Sequence, residues 1–238
     1  TSSGKSALAV RLARKLNGEI ISADSRQVYK GLDIGSGKIT KREMRGVPHH
    51  LLNIANPRQI FTATQYQKLA KRAIEDIAHR ERLPIICGGA GFYIDALLGR
   101  VSIPPVSPNP KLRRQLEKLD DRQLFRRLKK LDPRRAKNID HHNRRRLIRA
   151  IEIARVLNTR CLIKCSTPSV AQNYNWLTLG IKLNPDKLKK KINTRLKFRI
   201  NHGLIAEVKK LRKNGLSWKR LDSLGLEYRY VAKLLRGP

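Results

Sequence analysis

The first six residues, Thr1-Ser2-Ser3-Gly4-Lys5-Ser6, are the second half of the phosphate-loop pattern G-x-x-x-x-G-K-[ST]. Each residue type has a chemical reason to be there. Backbone N–H groups at the start of a helix bind phosphate oxygens. Lys5 brings positive charge to the same oxygens, and the Ser6 hydroxyl can ligate Mg²⁺. Gly-Lys-Ser occurs often by chance, but here it stands directly before an amphipathic stretch, where a capped helix start is the competing explanation. A second group is Asp24-Ser25-Arg26-Gln27-Val28-Tyr29, which follows a short apolar run. In open α/β sheets the carboxyl ends of strands line the ligand crevice, which sets Asp24 beside the phosphate loop. It would serve there as a Mg²⁺ carboxylate or as a general base, and both remain open.

Three further groups can carry chemistry or can merely shape the chain. Gly35-Ser36-Gly37-Lys38 is a small-residue turn ending in a cation. Gly88-Gly89-Ala90-Gly91-Phe92-Tyr93 sits where a strand meets a helix, and glycines there permit either close approach to a ligand or tight packing. In Pro48-His49-His50-Leu51, adjacent histidines on extended chain point to opposite sides, which argues against a metal site. Asn143 to Glu152 reads as a basic helix: Arg145 and Arg149 share a face with Arg146 beside them, suited to phosphates and bases or simply to solvent.

These residues need elements to hold them. Apolar spacing predicts a helix over Ser6–Leu16, a strand over Glu19–Ser22, a helix over Thr62–Arg80 and a strand over Pro84–Cys87. Strand, helix, strand in that order predicts a parallel sheet with right-handed crossovers. A proline-rich break, Ile103 to Pro110, then leads into short basic helices, Lys111–Leu119, Asp121–Leu131 and Asn143–Leu157, with Asp132-Pro133 and His141-His142 at the joints. Strand character returns over Trp176–Leu183, followed by a helix over Asp186–Asn201 with Leu188, Ile192, Leu196 and Ile200 on one face. The expected fold class is therefore α/β: residues 1–106 and 174–238 form the core, and residues 107–173 form an all-helical insertion domain. A strand normally precedes a phosphate loop, so the chain reads as lacking its first strand.

Charge narrows the partners. Lys and Arg number 53 against 18 Asp and Glu, a formal net charge of +35. Such a surplus repels itself unless a polyanion neutralises it, and nucleic acid is the commonest one. Three cysteines, Cys87, Cys161 and Cys165, suggest no disulfide framework, and the last pair lacks the second pair a zinc site needs. No apolar run is long enough to span a membrane. A cytoplasmic chain is expected from this cysteine usage.

Taken in order, these motifs resemble the tRNA dimethylallyltransferase (tRNA isopentenyltransferase) family. Gly4-Lys5-Ser6, Asp24 to Tyr29, Asp33-Ile34-Gly35-Ser36-Gly37-Lys38, Val47-Pro48-His49-His50-Leu51, Gly88 to Tyr93, Arg146…Arg149-Ala150-Ile151-Glu152 and Gly225-Leu226-Glu227-Tyr228 carry the likeness across nearly the whole chain. The resemblance implies a P-loop NTPase-like core with a helical insertion. It implies transfer of a dimethylallyl group from dimethylallyl diphosphate to an adenine of the tRNA anticodon stem-loop, by a monomer. It assigns Thr1, Ser2, Ser3, Gly4, Lys5 and Ser6 to the donor's diphosphate, with Mg²⁺ on Ser6 and Arg195 added to the cluster. It makes Asp24 the general base. Asp24, Ser25, Arg26, Gln27 and Ala90 would contact the target nucleotide, while Arg113 and Arg145, Arg146, Leu147, Ile148 and Arg149 would hold the tRNA. The sequence departs from the family where Ala90 replaces its usual Thr, where Pro185 and Lys189 replace an Arg and an aromatic residue, and in ending before a segment rich in Lys, Arg, Gln and Trp. A small-molecule kinase would share Lys5, Ser6 and Asp24 but not the charge. A prenyltransferase acting on free nucleotides would not need the basic insertion. An inactive tRNA-binding remnant would fit the charge and Ala90.

Overall fold

The computed structural model describes residues 2–159 and 174–237. Its elements run α1 (Lys5–Lys15), β1 (Gly18–Ala23), α2 (Lys41–Met44), β2 (His49–His50), α3 (Ala63–His79), β3 (Leu83–Gly88), α4 (Gly91–Leu97), α5 (Pro110–Leu116), α6 (Asp121–Leu131), α7 (Pro133–Lys137), α8 (Arg144–Thr159), α9 (Pro185–Asn201), α10 (Leu204–Lys213), α11 (Trp218–Ser223) and α12 (Leu226–Arg236). The chain divides into two compact units, Thr1–Val101 with Pro168–Pro238, and Ser102–Thr167.

In the first unit, β1 is buried along its whole length and pairs in parallel with β2 on one side and β3 on the other, Ile20 standing opposite both His49 and Ile85. Successive side chains of β1 face opposite ways. Ile20 joins Ala9, Val10 and Ala13 of α1, whereas Ile21 joins Tyr66, Ala70, Ile74 and Ile77 of α3 with Tyr93 and Leu97 of α4. Helix α3 starts where a capping box allows it: Thr62 accepts from the amide of Gln65, whose side chain accepts from Thr62 in return. A second core packs Val28, Tyr29 and Leu32, just after β1, against α10, α11 and α12.

Residues 174–184 contain neither helix nor strand, contrary to the strand expected over Trp176–Leu183. A strand is defined by the neighbour it pairs with, and this segment pairs with none of β1–β3, leaving Leu177 and Leu179 exposed. The apolar stripe of α9 is also uncovered: Ile192, Leu196 and Ile200 are all at least 40% exposed, and the buried residue of this helix is Arg199. Periodicity marks a face but not whether anything packs on it.

The second unit is helical. Leu112, Leu116, Leu124, Leu128, Ala136, Leu147 and Ile151 fill its interior. Asp132-Pro133 does more than join helices. Asp132 accepts from the amide of Arg135, and Pro133 opens the short helix α7. Helix α5 stops at Leu116, three residues earlier than its apolar pattern predicts. Of the three cysteines, Cys161 and Cys165 lie outside the described residues.

Candidate active site

The junction of β1, β3, α1 and α9 frames a cleft of about 800 Å³. Its floor is the start of α1. Gly4 lies in the left-handed region (φ 93°), where a side chain is strained whatever the space around it. The helix begins with no side-chain cap and no acidic residue in its first turn. Its leading N–H groups therefore meet no protein acceptor of the usual kind, and the helix dipole adds partial positive charge there. Lys5 Nζ rests on Ser3 Oγ at 3.2 Å. Ser2, Ser3, Gly4, Lys5 and Ser6 all line the cleft, and Thr1 lies outside the described residues.

Asp24 follows the last residue of β1 and lines the same cleft. One carboxylate oxygen, Oδ1, accepts from the amides of Arg26 (2.8 Å) and Gln27 (3.3 Å). This turn aims the carboxylate and employs only one of its two oxygens. Cys87 of β3 lines the same cleft, and its thiol is pushed up by burial, drawn down by the charge of Lys5 and a hydrogen bond with Ser6, and pushed up again by Asp24. One small group thus feels the cradle and the carboxylate together, a juxtaposition that motif order only implied.

Arg26 and Gln27 also line the cleft, with Gln27 Nε2 donating to the Gly37 carbonyl at 3.3 Å. Ser25 is half-buried outside the lining, and Ala90 is the N-cap of α4 with no side-chain hydrogen bond to offer. Glu207 accepts from the amides of Asp33, Ile34 and Gly35, while Tyr228 donates to Glu207 and accepts from the amide of Ser36. Gly35 and Gly37 are no plain surface turn. A Cβ on Gly35 would stand 2.6 Å from the Tyr228 ring, and one on Gly37 would overlap Arg199. Gly88 is a packing glycine, since a Cβ there would overlap the Ala23 backbone, whereas Gly89 faces open space. The histidines turn to structure: His49 Nδ1 bonds to the Val47 carbonyl, and His50 Nε2 meets the buried carboxylate of Glu19 at 2.6 Å.

From the far wall, Arg195 of α9 reaches Ser2 Oγ at 3.3 Å. Burial first, and then the charge of Arg199, lowers its pKa below the ordinary arginine value. The lining holds eight Lys and Arg residues against the three carboxylates Asp24, Glu43 and Glu227. Such a surplus fits a multiply charged anion better than any neutral ligand. Arg199, Glu43, Arg45, Lys190, Lys191 and Glu227 were not assigned to this site by the sequence. The usable signal was the i, i+4 row Lys191, Arg195, Arg199 on α9, masked by the apolar row beside it.

In the helical unit, Glu152 is buried and gathers Arg113 through two hydrogen bonds (2.7 and 2.6 Å), Arg149 (3.3 Å) and the amide of Asn109 (2.9 Å). Arg149 also donates to the Val106 carbonyl at 2.6 Å. Arg113 and Arg149 are thus half-buried braces of this unit. Arg145 and Arg146 point to solvent, while Leu147 and Ile148 are core residues whose side chains face inward. Backbone is all that the last two can offer a partner.

A parallel α/β unit with a bare helix start, a cationic wall and a strand-end carboxylate in one cleft has the architecture of a phosphate-loop protein, with a cleft whose charge suits an anionic ligand. A family profile described as IPP transferase matches residues 27–238. The chain is similar to tRNA dimethylallyltransferase 1 of Geotalea uraniireducens, at 42% identity over 237 residues that cover all of this chain and 76% of that relative. It is also similar to the solved full-length tRNA isopentenylpyrophosphate transferase of Bacillus halodurans, with a TM-score of 0.69 and 36% identity over all of this chain and 75% of that one. A eukaryotic dimethylallyltransferase solved acting on tRNA gives a TM-score of 0.73 at 26% identity, over 93% of this chain and 57% of its own. The chain belongs to the IPP transferase family.

Proposed function

We propose that this chain transfers the dimethylallyl group of dimethylallyl diphosphate to the exocyclic N6 of the adenosine 3′-adjacent to the anticodon in tRNA, releasing diphosphate. The observation that carries the reading is the shared cleft, which the uncapped start of α1, Arg195 and the Asp24 carboxylate all line. The amine nitrogen attacks C1 of the donor, the C1–O bond breaks, and the electron pair leaves with diphosphate. Asp24 takes the proton of the amine, using the oxygen its turn leaves free. Charge grows on the leaving group, and the α1 amides, Lys5 and Arg195 are already oriented toward it, which lowers the barrier without reorganisation.

Magnesium fits this donor set. The metal takes oxygen ligands and usually binds through few protein groups plus substrate phosphates, and the Ser6 hydroxyl with a diphosphate offers that combination. When bound it would neutralise diphosphate charge. Arg26 and Gln27 hold the nucleotide near Asp24. For the reaction, the target base must leave its stack. Arg145 and Arg146 supply exposed cations for RNA phosphate, with Arg113 and Arg149 braced behind them. We further read the chain as a cytoplasmic monomer.

The test is to incubate the chain with tRNA, Mg²⁺ and dimethylallyl diphosphate, digest the RNA and weigh its nucleosides. A prenylated adenosine is expected. Salt-sensitive tRNA binding with no product would replace this reading with the inactive remnant, and ATP turnover without tRNA would replace it with a kinase.

A further inference from the structure

We infer that Arg199 is a positioning residue for the leaving-group side of the cleft: it occupies Glu227 and thereby keeps Arg195 free to face the phosphate cradle. The inference rests on the reading of this cleft as a diphosphate site. Arg195 and Arg199 stand four apart on α9 and share a face. Arg199 is buried, and its Nη1 donates to Glu227 Oε1 (3.0 Å) and the Gly35 carbonyl (3.3 Å). Its guanidinium fills the space above Gly37. A Cβ at that position would overlap Arg199 Nη2 and stand 3.1 Å from Arg195 Nη2, so both arginines converge on one point. Gly37 also lies in the left-handed region (φ 59°), which suits the glycine that this packing demands.

The two cations are treated unequally. Arg199 has the carboxylate, whereas Arg195 has a serine hydroxyl and no ion pair among the described residues. Glu227 and Glu43 both act on Arg195 electrostatically. An ionised acceptor binds a guanidinium more strongly than a hydroxyl does. With Arg199 gone, Glu227 would be left half-buried and unpaired, and Arg195, one helical turn away, is the cation placed to answer it. That move would withdraw Arg195 from Ser2 and the cradle. Arg199 would then act through Arg195 and need not touch the donor.

The experiment titrates inorganic pyrophosphate with Mg²⁺ into the whole chain and its variants by calorimetry, with thermal unfolding alongside. Arg199→Met should weaken pyrophosphate binding about tenfold or more, the scale of one lost charge-assisted contact. Adding Glu227→Gln removes the competing carboxylate and should restore affinity to within about threefold, a non-additivity that general structural damage would not produce. In transfer assays Arg199→Met should lower kcat and raise KM for dimethylallyl diphosphate while leaving KM for tRNA close to wild type, and adding Glu227→Gln should recover both. Wild-type affinity in Arg199→Met, a double variant no better than the single, or no pyrophosphate binding by the unmodified chain would each overturn the inference. If Arg199→Met fails to fold, Glu227→Gln alone decides: binding unchanged or tighter supports it, and a loss of about tenfold overturns it. Pyrophosphate results as expected in a chain that makes no prenylated adenosine would defeat the proposed reaction while leaving the role of Arg199 intact.

Discussion

Replacing Asp24 by asparagine separates the chemistry of this carboxylate from its structural work. Asp24 Oδ1 accepts from the amides of Arg26 and Gln27. Asparagine keeps an acceptor oxygen at that point, so the turn, β1 and the cleft should persist, and the ability to take a proton is what disappears. Positioned general bases contribute about 10²–10⁴-fold to rate, which corresponds to about 3–5 kcal/mol of barrier. Asp24→Ala would abolish transfer too, but it frees both amides at about 0.5–1.5 kcal/mol each and blurs the interpretation. The assay is single-turnover transfer at saturating donor and tRNA, with filter binding and thermal unfolding on the same preparations. Transfer in Asp24→Asn should fall by that factor, with tRNA affinity and melting temperature close to wild type. Transfer within about tenfold of wild type, or tRNA affinity lost as heavily as rate, would refute the assignment of this carboxylate as the base.

Arg145→Ala and Arg146→Ala should each weaken tRNA binding and reduce the salt slope by about one, read from binding isotherms across salt concentrations. Arg149→Ala should in addition lower the melting temperature, because Glu152 and the Val106 carbonyl lose a donor. Ala90→Thr supplies a hydroxyl at the bare N-cap of α4 and should stabilise the chain by up to about 1 kcal/mol in denaturant titration; a rise in turnover as well would mark this hydroxyl as part of the site. Glu19 is held at about 2, well below its ordinary 4.5, chiefly by its hydrogen bonds from Arg80 and then by His50, against the opposing effect of burial. Its folded value lies below the unfolded one, so its contribution is complete above pH 4.5 and is lost as pH falls toward 2. Glu19→Gln should lower stability at neutral pH by about 1–3 kcal/mol, less than for a fully buried pair because its arginine partners, Arg80 and Arg82, both reach solvent. It should also flatten the acid limb of a melting-temperature profile.

Local chemistry made much of this protein legible in the sequence. Thr62 and Gln65 announce the start of α3 through a reciprocal cap, and Asp120 with Gln123 does the same for α6. Gly4-Lys5-Ser6 and Asp24 were readable because their spacing puts them at the ends of neighbouring elements. Motif order and charge were enough to suggest a tRNA-directed prenyl transfer. Tertiary structure decided the rest. Trp176–Leu183 has strand composition, but a strand needs a partner, which no local pattern supplies. Leu147 and Ile148 sit among arginines in sequence and inside a core in space. Arg199 lies on α9 far along the chain from Gly35, Gly37 and Glu227, and only packing reveals that it fills the gap left by a glycine. Periodicity and capping act over a few residues, whereas pairing, burial and the sharing of one carboxylate between two cations depend on chain segments that only folding brings together.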